Sequence, residues 1–258
     1  MAFVNQQNLS YGQEKIETSG KKLKLGTIGR TPDGRAFVYA RNGSAAITTA
    51  GMIVDAGTAL TVNAHDMDVP AAANDAGTTD PTISVPTTDL TKDQYADGYL
   101  IFNDGPGEGE VYRIKSHPAH DASADATCIF TLDEPDGIRT ALTTGSLAGL
   151  FKSPYNAVAL VDGDGTLTYR TGVVGVTTIP VTASYYCWIQ TAGIATVALG
   201  AQVGVVGDAL TISQESGESG KAERADHSDE ADLATIGVAI GIPSVSGDKQ
   251  ACILHIRN

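Results

Sequence analysis

Cysteine, tryptophan and methionine are scarce in this chain: 3, 1 and 3 among 258 residues. Three cysteines cannot all pair within one chain, so a disulfide framework is not what the sequence offers. Cys128, Cys187 and Cys252 each stand in a short apolar run, where a free cysteine behaves as a small buried hydrophobe. That usage points to assembly in a reducing cytoplasm. No apolar run approaches the roughly 18 residues of a membrane-spanning helix. The first 30 residues hold no apolar core of signal-peptide length. Positive charge is also short: 17 basic residues stand against 30 acidic ones, a net charge of -13. Such a body does not neutralise phosphates, which argues against a nucleic-acid partner.

Glycine is abundant instead, with 29 residues, alongside 10 prolines and many threonines and alanines. Glycine weakens helices, and β-branched residues suit a pleated surface. From Tyr185 to Leu210, short apolar runs are cut by single glycines, with no stretch long enough for a helix. That is the pattern of tightly turned antiparallel strands. The expected fold is all-β: an antiparallel sandwich or barrel-like domain with an extended N-terminal arm and a small β-rich insertion. A chain of this length buries a core without metal or disulfide staples.

Charge is unevenly placed. Residues 1–41 carry Lys15, Lys21, Lys22, Lys24, Arg30, Arg35 and Arg41 against Glu14, Glu17 and Asp33, a net of +4 on an otherwise acidic chain. A basic leading segment suggests a docking arm, or simply a solvated terminus. Its Thr31, Pro32, Asp33 and Gly34 make a good β-turn before a strand over 37–40. Strands are also expected over 45–54 and 58–62. The Ala-, Asp-, Thr- and Pro-rich stretch 70–86 reads as a loop or linker.

Residues 87–151 read as an inserted unit. Its hairpin pairs 98–102 with 111–114 around a glycine-rich tip at Gly105, Gly107 and Gly109, followed by a strand within 126–132. The stretch 138–150 could hold one short helix. The main domain is expected from 42–86 and 152–258, with 1–41 as arm and first strand. Its later strands are placed near 156–161, 167–170, 173–177, 185–191, 194–199, 202–206, 209–213, 234–240 and 250–256, and 214–232 reads as an exposed polar loop.

No motif reads as an active site, and a non-enzymatic protein without cofactor or metal is expected. His117 and His120 are the nearest thing to a metal pair, but Pro118 blocks a helical arrangement and zinc needs further ligands. Asp162 and Asp164 open like a calcium loop, yet the chain continues directly into an expected strand, and Asp-Gly is a turn pair. Gly105, Gly107 and Gly109 lack the lysine and helix of a phosphate cradle. None of the five histidines (His65, His117, His120, His227, His255) stands near a nucleophile motif, though triads assemble in space. Tyr186 and Trp188 share one strand face, with Tyr185 and Cys187 on the other. That suits core or subunit-contact aromatics better than a sugar platform.

Several segments, in order along the chain, are similar to one family of tailed-bacteriophage head proteins. They are Leu25 to Tyr39, Tyr95 to Leu100 with Gly105 to Ile114, Tyr186 to Gly193, Gly207 to Leu210 and Ile236 to Ile240. The family resembles capsid decoration, or cement, proteins. The resemblance implies a β-rich virion protein on the outer head surface, assembled in the host cytoplasm. It implies the major capsid protein as partner and a homo-oligomer, with a trimer favoured. It brings no catalytic residues. The expected contact residues are Lys15, Lys21, Lys22, Lys24, Arg30, Tyr186 and Trp188. A tail or baseplate component is the alternative, and a glycan-binding β-protein a more distant one.

Overall fold

The chain is β-structure throughout. The computed structural model describes residues 6–56, 65–70, 74–85, 89–162, 172–201, 204–225, 235–241 and 248–256. Among them the helical content is one 3-10 turn, Gln13–Lys15. The expected strands 58–62 and 167–170 and the residues Asp164, Gln202, Val203 and His227 lie outside the described residues. The chain divides into two compact units: Met1–Ala59 with Pro154–Asn258, and Leu60–Ser153.

In chain order the first unit opens with β1 (Gln6–Asn8), β2 (Ile28–Arg30), β3 (Ala36–Asn42) and β4 (Ile53–Asp55). The second unit holds β5 (Met67–Asp68), β6 (Thr82–Ser84), β7 (Tyr99–Asp104), β8 (Val111–Ser116), β9 (Thr127–Ile129), β10 (Thr131–Leu132) and β11 (Leu147–Phe151). The first unit resumes with β12 (Asn156–Leu160), β13 (Val173–Thr177), β14 (Tyr186–Ala198), β15 (Ala209–Ile212), β16 (Ala222–Arg224), β17 (Gly237–Ala239) and β18 (Lys249–His255).

The first unit is built on a closed barrel. Strands β3, β12, β4, β13 and β14 pair in that order, and β14 pairs back onto β3. Alternation explains why. Val38 and Ala40 of β3 face Ile189 and Cys187 of β14 across the register and fill the interior with Val54, Val158 and Val181. The intervening Phe37, Tyr39 and Trp188 point outward, where Leu9 and Leu25 cover them. Closure leaves these strands no free edge, and the apolar residues of β3 and β14 alternate between two apolar clusters.

Strand β14 carries the chain out of the barrel. Its first half pairs with β3 and β13, and Ala192 to Ala198 pair with β18, leading to the order β14-β18-β17-β15-β16. The sequence suggests two strands split at Gly193; one strand runs through instead. Gly193 takes a positive φ of 87° just beyond a bulge between Gln190 and Ala192, and the buried Gln190 amide donates to the carbonyls of Ala192 and Ile194. The side chain thereby replaces the ladder bonds lost at the bulge. Gly204 to Val206, expected as the end of a strand over 202–206, lead into a turn instead.

The N-terminal segment is extended, as expected, but from Gln6 onward it does not project. β1 lies parallel to β2, and β2 antiparallel to β3. Glu17 accepts hydrogen bonds from the Thr182 backbone and hydroxyl, both at 2.7 Å, and Thr18 bridges to Tyr186. Glu14 is buried, with the Arg35 guanidinium 3.4 Å away and the Gly12 N–H donating to it. An acid this deep requires such partners. Apolar anchors at Leu9 and Leu25, together with these acids, turn a basic segment into part of the barrel wall.

The second unit begins at Leu60, not near residue 87. Its sheet runs β10-β8-β7-β11-β5, beside the pair β6-β9. Met67, Val69, Ile83 and Val85 belong to its core with Phe102, Ile114, Phe130 and Leu150. Residues 74–85 of the stretch expected as a linker are therefore packed structure. Its polarity misleads because the Asn74 side chain pairs both backbone groups of Thr82. The stretch that could hold a helix ends in strand β11, where Ala148 and Leu150 are core.

Candidate functional site

Trp188, Tyr39 and Leu9 form the buried floor of a groove of about 230 Å³. Its walls are Gln7 and Asn8 of the terminal strand β1, then Gln13, Ile16, Thr18, Lys22 and Leu23. Local sequence dictates the close packing. A Cβ on Gly29 would fall 2.6 Å from Leu9 Cδ1 and 2.9 Å from Trp188 Cζ3, so only glycine admits both side chains. Tyr39 stacks on Tyr186 at 5.9 Å and meets Trp188 edge to face at 5.3 Å, while its hydroxyl accepts the Lys22 N–H at 3.1 Å. One tyrosine thus joins the barrel to the basic segment.

The expected contact residues divide by position. Lys22 and Trp188 line the groove. Lys15, Lys21 and Lys24 are exposed; Lys15 lies on the 3-10 turn whose neighbours Gln13 and Ile16 form the wall. Arg30 is half-buried on β2, and its carbonyl accepts the Leu9 N–H. Tyr186 sits behind Tyr39, with the Arg41 guanidinium 6.0 Å from its ring. Trp188 is only 6% exposed, so it presents no open face for stacking a sugar. Sequence reasoning did not find the Glu14–Arg35 pair or the Glu17–Thr182 clasp; nothing local signals contacts across 21 or 165 residues.

The other candidates resolve into structural parts. His117 is buried: its Nε2 accepts the Tyr95 N–H at 3.0 Å, which assigns the proton to Nδ1, and that nitrogen donates to the Pro118 carbonyl at 2.8 Å. Burial pushes its pKa down, partly offset by the Pro118 carbonyl and by Asp93. His120 Nε2 donates to the Val85 carbonyl. Asp121 caps a turn through Ser123, which lowers its pKa. Gly105, Gly107 and Gly109, with φ of 72°, 90° and 83°, form the tip of the β7–β8 hairpin and lead into a strand. Cys187 and Cys252 are buried, and burial pushes each thiol up to about 12, far from the range of a reactive thiolate.

Two acids approach closely in the first unit. The Ser213 hydroxyl lies 2.6 Å from Glu218 and 2.9 Å from the buried Glu223. Glu218 also accepts the Ala201 N–H and pairs with Lys221. These bonds tie the turn after β15 to the end of β14. Among the described residues, no three or more histidine, cysteine or acidic side chains gather as a metal-holding group. Nor is any described helix long and apolar enough to cross a membrane.

The groove therefore brings together two of the expected residues, Lys22 and Trp188, with an apolar floor and a polar wall on a terminal strand. The chain matches no family model, no curated protein and no solved structure.

Proposed function

We propose that this chain is a non-enzymatic structural protein of a tailed-phage virion, binding the outer surface of the head and cementing neighbouring major capsid subunits. The observation that carries the reading is the groove beside β1, whose one charged lining residue is Lys22, on a chain of net charge -13. A terminal strand offers backbone hydrogen bonds to an added strand with little demand on sequence, and the groove takes its alternate side chains. Lys22 in the groove, with the exposed Lys15, Lys21 and Lys24 of the same segment, meets acidic capsid surface. The sequence resemblance in Leu25 to Tyr39 and Tyr186 to Gly193 falls on β2, β3 and β14, which frame this groove.

The test is cosedimentation of the full chain with undecorated heads of the virus that carries it. Saturable binding at a fixed ratio to the major capsid protein is expected. A Lys21→Glu, Lys22→Glu, Lys24→Glu variant should bind about tenfold more weakly and less salt-dependently. Absence from heads, with recovery in the tail fraction of disrupted virions, would reassign the chain to the tail or baseplate.

A further inference from the structure

The sheet that continues from the barrel buries one face and carries an apolar patch on the other, bounded along β18 by the exposed Lys249 and His255. Across its register Ile194 of β14 faces Ile253 of β18, Ile253 faces Val238 of β17, and Val238 faces Ala209 of β15. Residues directly opposite share a face, so these four form one row. The alternate residues Ala195, Cys252, Leu254, Ala239 and Leu210 are buried in the core beneath. The row itself points away from that core, with Ile194 63% and Ile253 38% exposed.

A second row runs alongside. Thr196 faces Ala251, and the Ile240 N–H donates to the Ala251 carbonyl. Ile240, Val205 and Val206 are exposed, and the Gly207 N–H bond to Ala239 holds the Val205–Val206 turn beside β17. An antiparallel sheet with one wet face alternates apolar and polar residues along each strand. Neither row holds a charged side chain, in a chain with 47 of them. The rows form an exposed patch without charge on a face that is otherwise polar at its ends.

We infer that this face is a contact between two copies of the chain, packed sheet on sheet. Area and charge argue for a copy. The five exposed side chains Ile194, Ile253, Ile240, Val205 and Val206 offer on the order of 400 Å² of apolar surface, the size of a monomer's largest patch. Doubling it by symmetry and adding a polar rim brings the buried total within reach of the roughly 1,200–2,000 Å² of a stable interface. Two acidic bodies repel, so they can meet closely only where carboxylates are absent, and the two rows supply such a surface. One patch used by both copies closes as a two-fold dimer; a ring of three needs two different patches. The resemblance implies a trimer, and this surface specifies a pair. No residue of the groove belongs to the rows, and the contact stands whether or not the chain binds heads.

Sedimentation equilibrium of the full chain at micromolar concentration tests it. A mass of two chains is expected, with association tightening as salt rises, because screening relieves acidic repulsion and leaves the apolar contact intact. Ile194→Lys with Ile253→Lys should weaken the dimer about a hundredfold or more while the circular dichroism spectrum stays unchanged. Should that variant fail to fold, Ile253→Cys provides the second reading, since the native thiols are buried. Ile253→Cys should form an intermolecular disulfide under mild oxidation, and Tyr11→Cys, at an exposed site off the rows, should not. A monomer at all concentrations, a trimer, or a dimer indifferent to both lysines would overturn the inference.

Discussion

Trp188 meets Tyr39 edge to face across the β3–β14 pair, ring centroids 5.3 Å apart and planes at 64°. The contact stands on the outer wall of the barrel, and Leu9 and the bare backbone of Gly29 close over it. The single tryptophan is therefore the point at which the N-terminal segment is fastened. Its binding role, if the groove takes a partner, is to hold the floor rigid.

Replacing Trp188 by alanine should cost about 3–5 kcal/mol, the range for a large buried aromatic. Gly29→Ala should cost about 1–3 kcal/mol, since the new methyl overlaps both Leu9 and Trp188. In the Trp188→Ala background the Gly29→Ala penalty should shrink, because half of the overlap is gone. Urea unfolding followed by circular dichroism measures all three. Fully additive penalties would mean the two sites do not touch.

Removing residues 2–24 should destabilise the first unit rather than release a dispensable arm. The cut takes away Leu9, Glu14 and Leu23, uncovers Trp188 and leaves Thr182 without Glu17. A lower thermal midpoint and new binding of a hydrophobic dye are expected. A truncated protein that melts with the full chain would show the segment to be only draped on the barrel. Loss of head binding on truncation is thus not diagnostic of docking, whereas loss on reversing Lys21, Lys22 and Lys24 is.

Legibility tracked locality. The strand over 37–40, the hairpin 98–102 with 111–114, the strands 173–177, 209–213 and 250–256, and the opposite faces of Trp188 and Cys187 all follow from patterns a few residues long. What failed needed distant partners. Leu9 and Leu25 are isolated apolar residues whose burial depends on Phe37, Tyr39 and Trp188. The stretch 70–86 reads as a linker because Ile83 and Val85 are its last large apolar residues and Asn74 does the work of a strand. The split at Gly193 ignores the Gln190 side chain. The Ile194–Ile253–Val238 row is visible only once register is known, since each strand alone contributes one apolar residue to it.

The cysteines should be silent in the folded protein. Cys187 faces Ala40 inside the barrel and Cys252 lies in the neighbouring core, each thiol pushed up to about 12; burial also raises Cys128 in the second unit. A thiol reagent at pH 8 should label none in native buffer and all three in denaturant. Stoichiometric native labelling would contradict the packing of both cores.

Stability of the second unit should fall as the solution is acidified from neutrality, with His117 as a principal cause. Its ring packs 5.2 Å from Phe130 and 6.0 Å from Tyr95, and both nitrogens are engaged in the neutral form. Burial holds its folded pKa below the ordinary 6.5, so around that pH the unfolded chain binds a proton that the folded chain refuses. The contribution is complete above 6.5 and is lost progressively as pH falls from there towards the lowered value. Protonation also removes the acceptor for the Tyr95 N–H, so that amide should exchange faster with solvent at about pH 5.5 than the pH dependence of intrinsic exchange requires. His117→Gln should flatten this dependence while lowering stability at pH 7, because an amide cannot change charge yet fits the ring's place poorly. Carboxylates with lowered pKa, such as Asp80 and Glu110, lose their contribution as pH falls from the ordinary carboxylate range downward, which lies below the histidine window. An unchanged slope in the His117→Gln variant would move the effect to another histidine.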